Sequence, residues 1–174
     1  MKKTLLILVF FIGLGNVNAQ SDATLDETIE WIKNYANDYA KKGLEQYQNK
    51  NIDDHQSNWV FRINSDGLSI LTLYTPINEW AYSQLRDYSA INKIELHSQS
   101  KNGFKFYFIT IFTKSGKLID VNHGKTLKSK ISDCKIILKD KSEAESIFNA
   151  LEHFLKLQGF STNFNNKLNL ENKF

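Results

Sequence analysis

The chain is poor in the residues that make sites recognisable. It has one cysteine, Cys134, one proline, Pro76, and two arginines, Arg62 and Arg86, among 174 residues. A single cysteine excludes an internal disulfide framework, a four-cysteine zinc site and a CxxC redox pair. One proline and eight glycines exclude collagen-like and proline-rich classes. Two arginines leave few carriers for forked contacts to phosphate or guanine, which argues against a nucleic-acid partner. No HExxH, GxSxG, P-loop or GxGxxG pattern occurs, so no metal, catalytic or cofactor motif is present. What remains is 41% hydrophobic, 13% aromatic and 24% charged, a composition suited to a folded domain.

The first nineteen residues read as an export signal. Met1-Lys2-Lys3 is positive, Leu5 to Leu14 is apolar over ten residues apart from Gly13, and Val17-Asn18-Ala19 supplies a small residue at the cut. A spanning helix needs about 20 apolar residues, twice this run. Cleavage is expected between Ala19 and Gln20, giving an exported protein, periplasmic or extracellular, with no transmembrane segment after cleavage. Losing Lys2 and Lys3 leaves 20 basic against 19 acidic side chains, so the mature chain is nearly neutral. It has no strong global field to steer polyanions.

From residue 20 to 160 the pattern predicts a single globular domain, with 161–174 as a weakly ordered tail. Thr24 and Glu27 are spaced as a capping box, and Leu25, Ile29, Ile32, Ala36 and Tyr39 form a helical stripe. The helix is expected to run from about Leu25 to Lys42 with Gly43 as its C-cap, and Gln46 to Gln56 to be a loop or a frayed helical extension. Beyond Ser57 the period changes to two. Asn64-Ser65-Asp66-Gly67 predicts a hairpin, Lys114-Ser115-Gly116-Lys117 a second, and Asn122-His123-Gly124 a third turn. Phe104 to Thr113 is apolar on both faces, as in a central strand covered on both sides. Cys134 to Lys139 is the last predicted strand. Ser142 and Glu145 then suggest a capping box for a helix with Ile147, Phe148, Leu151, Phe154 and Leu155 on one face. That stripe is expected to contact Phe106, Phe108, Ile109 and Ile111.

The predicted class is α+β: an N-terminal helix, an antiparallel sheet or partly closed barrel of about six or seven strands, and a C-terminal amphipathic helix. From Ser57 to Gly159 this element order resembles the pleckstrin-homology-like barrel, whose open end is plugged by a C-terminal helix. The resemblance implies a binding scaffold without naming a ligand. An open sheet packed on both helices fits the same order.

The chemistry-bearing residues are scattered. Asp53-Asp54-His55 is the densest titratable cluster, and His123 lies in a turn; no two histidines are spaced as a local metal pair. His153 falls on the flank of the last helix, a surface position. Cys134 heads an Ile-Ile-Leu run and reads as a small hydrophobe. Between Lys114 and Lys141 there are eight lysines against three aspartates. Within that stretch Lys125, Lys128 and Lys130 are the candidate ligand-binding residues, for an anionic glycan, lipid headgroup or protein. The expected function is a small exported, non-enzymatic binding domain for a protein, glycan or lipid-like ligand, without cofactor or metal. The alternative is an extracytoplasmic hydrolase assembled from residues such as Asp54, His55 and His123.

Overall fold

The computed structural model describes residues 23–49, 61–64, 67–74, 79–115, 117–122, 125–128 and 132–168. The α+β class holds. Helix α1 runs from Leu25 to Gln48. The capping box at its start is formed: Thr24 Oγ1 accepts from the Glu27 amide at 3.3 Å, and the Thr24 amide donates to Glu27 Oε2 at 2.8 Å. Ile32, Ala36, Ala40 and Leu44 are its buried stripe. Steps of four drift by about 40° each in an α-helix. The π turn at Ile32–Ala36 rotates less per residue and takes up part of that drift.

The helix does not stop at Gly43. It continues to a left-handed C-cap at Asn49, φ 53°. Gly43 is buried at mid-helix, where a Cβ would collide with the Ile137 carbonyl oxygen and lie 2.7 Å from Leu138 Cα. The glycine is there for close approach rather than termination.

The strands are β1 Phe61–Asn64, β2 Gly67–Tyr74, β3 Glu79–Leu85, β4 Ile91–Lys101, β5 Phe104–Thr113, β6 Leu118–Asn122, β7 Lys125–Lys128, β8 Asp133–Leu138 and β9 Asn163–Asn166. They form two sheets, ordered β1-β2-β3-β6-β7 and β8-β5-β4-β9, neither of them closed. The hairpins pairing Asn64 with Gly67 and Asn122 with Lys125 fall where the turn residues place them.

The turn at Lys114–Lys117 is not a hairpin. Both in-plane sides of β5 are taken, by β4 and by β8. The chain therefore crosses to the other sheet, where β6 pairs with β3.

Helix α2, Lys141–Leu157, starts two residues earlier than a Ser142 cap requires. Asp140 is the N-cap, and its Oδ1 accepts from the Ser142 amide at 2.9 Å and the Ser142 hydroxyl at 2.7 Å. A carboxylate two residues upstream displaces the serine from that role. At the other end the Phe160 amide donates to Leu155 O and the Gly159 amide to Lys156 O, closing a Schellman turn.

That turn redirects the chain onto the sheet. Asn163–Asn166 pairs in parallel with β4, Phe164 meets Phe148 edge-on at 5.4 Å, and Leu168 is buried. This part of the segment expected as a tail is thus a sheet strand. Four residues of mixed asparagine and phenylalanine carry too little periodicity to announce one.

Helix α2 lies over one face of the four-stranded sheet. Its whole expected stripe is buried with Ile94, Leu96, Ile109, Ile111, Ile136 and Leu138. Phe106 and Phe108 are also buried, but on the opposite face, where the Tyr47 ring meets them edge-on at 5.2 and 5.6 Å. Side chains two apart in a strand share a face, so one set of four could not all reach one helix.

Candidate functional site

Two places on the four-stranded sheet gather functional side chains. The first is the face bearing Phe108. Glu95 on β4 sits directly across from Thr110 on β5, and both are buried. Glu95 Oε1 pairs with Lys93 Nζ at 2.9 Å and Oε2 with Lys167 Nζ at 3.0 Å. The Lys93 hydrogen bond, followed by that of Lys167, holds the Glu95 carboxyl below the usual glutamate value, while burial acts the other way. Lys93 also lies 4.6 Å over the Phe112 ring, and His97 stacks on Phe108 at 5.4 Å.

Both Glu95 oxygens are engaged by lysines, one from β4 itself and the other, Lys167, from the residue after β9, which ties that end of the chain to β4. Thr110 Oγ1 is buried without a hydrogen-bond partner. The arrangement is a clamp for the C-terminal strand.

The second place is the tip of the β4–β5 hairpin. Asn102 and Gly103 have φ of 52° and 79°, the two positive values of a type I′ turn, and Lys101 pairs with Phe104 across it. Phe104 is 57% exposed, the most exposed large hydrophobic residue described. The tip is braced from below. Lys101 Nζ donates to Tyr47 O at 2.7 Å and stands 3.7 Å above the Tyr47 ring, tying the hairpin to the C-terminal turn of α1.

Lysines gather around this end. Lys105 follows Phe104 and lies 5.9 Å over the Tyr107 ring. Leu138 pairs with Tyr107, so Lys139 follows at the level of Phe106, short of the tip. Lys42 adjoins Gly43, which packs on the Ile137–Leu138 backbone. Burial and then the Asp140 charge push the Glu143 carboxyl up, partly offset by Lys42 and Lys139, which places those two lysines beside it. Asp140 itself is held below the usual aspartate value, chiefly by the Ser142 hydroxyl and amide. The acids here are thus engaged in capping α2 or half-buried, while Lys42, Lys105 and Lys139 are exposed.

Of the residues singled out by sequence, those that are described lie elsewhere. Lys125 and Lys128 lie on β7, paired with Asn122 and Ile119, at positions of opposite parity in the ladder. Lys130, Asp53, Asp54, His55 and His123 lie outside the described residues. His153 is not a free surface residue: its Nε2 donates to Ala23 O at 2.7 Å, pinning the start of α1 to α2. Cys134 is buried in the core. Among the described residues no group of three His, Cys, Asp or Glu is placed to hold a metal ion, and no helix is long and apolar enough to cross a membrane.

Sequence reasoning missed Phe104 because it counted that residue as one more position on an apolar strand. The signal was present in Asn102-Gly103, which places Phe104 at the first position after a tight turn.

No family model, no curated protein and no solved structure matches this chain.

Proposed function

We propose that the chain is an exported, non-catalytic binding domain. The observation that carries this reading is Phe104, a large aromatic side chain held in solvent at a braced hairpin tip. Keeping it there forgoes about 1–2 kcal/mol of burial, and the Lys101–Tyr47 brace preorganises it for a partner. The chemistry-bearing groups near the sheet support the same reading, because each serves the fold. Glu95 is clamped by two lysines, Asp140 caps α2, and His153 joins the two helices. Export is supported by the Lys2-Lys3, apolar run and Ala19 arrangement. Lys125, Lys128 and Lys130 belong to the proposal as secondary, salt-screened contacts for anionic ligands.

The test is turnover. The mature chain, assayed with chromogenic ester, phosphate, glycoside and peptide substrates, should give no rate above that of an Asp54→Asn, His55→Ala, His123→Ala variant. Turnover in the parent that this variant loses would establish the hydrolase instead.

A further inference from the structure

We propose that Asn102 is a site of spontaneous deamidation, with the Gly103 backbone nitrogen as nucleophile, and that the Lys101–Tyr47 brace limits how fast it converts.

The turn supplies both reacting groups. The chain has one Asn-Gly pair, and it forms the two central residues of the β4–β5 hairpin. Positive φ at both positions of a type I′ turn selects asparagine and then glycine. The chemistry that closes this hairpin therefore also sets a carboxamide beside an amide nitrogen that no side chain shields. Lys101 and Phe104 are the last ladder pair, which leaves the Gly103 N–H outside the ladder. Both turn residues are exposed, and a Cβ built on Gly103 would have nothing within 4 Å, so the approach is open. The asparagines of β9 are placed differently. Asn163, Asn165 and Asn166 lie in a ladder and precede residues with side chains, and Asn166 Oδ1 already accepts from the Leu168 amide.

In the first step the Gly103 nitrogen loses its proton to solvent base and attacks Asn102 Cγ. The N–Cγ bond forms, the Cγ–Nδ2 bond breaks, and ammonia leaves a five-membered cyclic imide. Water then opens the ring. Cleavage of the new N–Cγ bond gives aspartate. Cleavage between that nitrogen and the Asn102 carbonyl carbon gives isoaspartate, in which the main chain runs through Cβ. Either product exchanges ammonia for water, a gain of about one dalton and one negative charge.

Ring closure takes Asn102 out of its turn conformation, so the tip must open first. Lys101 Nζ, bonded to Tyr47 O at 2.7 Å and 3.7 Å above its ring, opposes that opening. Isoaspartate adds a main-chain carbon to a two-residue turn and a carboxylate next to Lys101. Conversion thus disturbs the geometry that holds Phe104 in solvent.

The experiment is peptide mapping by mass spectrometry while the purified chain is incubated at mildly alkaline pH. In the native parent Asn102 should convert before Asn163, Asn165 and Asn166, to both aspartate and isoaspartate, and faster as pH rises. Lys101→Met keeps an apolar stem and loses the donor. It should convert about fivefold faster, the effect of one hydrogen bond and one ring contact on the open population. In guanidinium chloride, where neither chain has the brace, the two should convert alike, which separates the brace from any direct effect of residue 101.

An Asn102 that stays intact in the native parent after converting fully in guanidinium chloride would overturn the proposal. Aspartate without isoaspartate, or equal native rates for the parent and Lys101→Met, would do the same.

Discussion

Gly43→Ala should destabilise the protein although it improves the helix. In an exposed helix interior, alanine is better than glycine by about 1 kcal/mol. At position 43 the added methyl group would collide with the Ile137 carbonyl oxygen and lie 2.7 Å from both Ile137 C and Leu138 Cα. Those are backbone atoms of β8, which is itself paired to β5 along its length, so they cannot swing aside as a side-chain end would. Relief requires moving α1 off β8, which disturbs the Tyr47 contacts with Phe106 and Phe108 as well.

Overpacking of this kind costs about 2–4 kcal/mol, and setting the propensity gain of about 1 kcal/mol against it leaves a net loss of about 1–3 kcal/mol. For a domain of this size that is a fall of roughly 3–10 °C in thermal midpoint. Urea unfolding followed by circular dichroism gives the difference directly, with Lys42→Ala, one residue away and exposed, as a control expected to change little. A Gly43→Ala protein as stable as its parent, or more so, would refute the claim that α1 and β8 touch through this glycine.

Phe108→Ala should cost about 3–5 kcal/mol in the same assay, and a loss below about 1 kcal/mol would mean that the face away from α2 is not packed. Asp140→Ala should cost about 1 kcal/mol through loss of the α2 cap, read from the urea midpoint at unchanged slope. Glu95 is lowered in the native state, so its stabilising contribution is complete above the unfolded glutamate value and is lost as pH falls through the native one. The stability gap between parent and Glu95→Gln should therefore be widest near neutral pH and narrow as pH falls below the unfolded glutamate value; a constant gap would show that the ion pairs do not matter. Glu143, whose value is raised, works in the opposite direction and is relieved rather than penalised on acidification.

The elements that sequence made legible are those whose signal is local. Thr24 with Glu27, the Asn64-to-Gly67 turn, and the stripe Ile147, Phe148, Leu151, Phe154 and Leu155 are each decided within a few residues. Errors arose where a partner distant in the chain decided the outcome. Gly43 looks like a helix end until the β8 backbone is set against it. Lys114 to Lys117 looks like a hairpin until β4 and β8 are seen to fill both sides of β5. Asn163 to Asn166 becomes a strand through β4, Phe148 and the Glu95–Lys167 pair, none of which its own composition reveals. The tip at Phe104 was hidden for a related reason: a strand that is apolar on both faces gives no hint which of its ends runs out of cover.

Export is the premise on which every functional proposal above depends, and one mass measurement addresses it. The chain should be recovered from the periplasmic or culture fraction of its native host, and its intact mass determined. The mass should correspond to a protein beginning at Gln20, within a residue or two, as the Ala19 cut requires. A chain that keeps Met1 and stays in the cytoplasmic or membrane fraction would contradict export, and with it the proposed role.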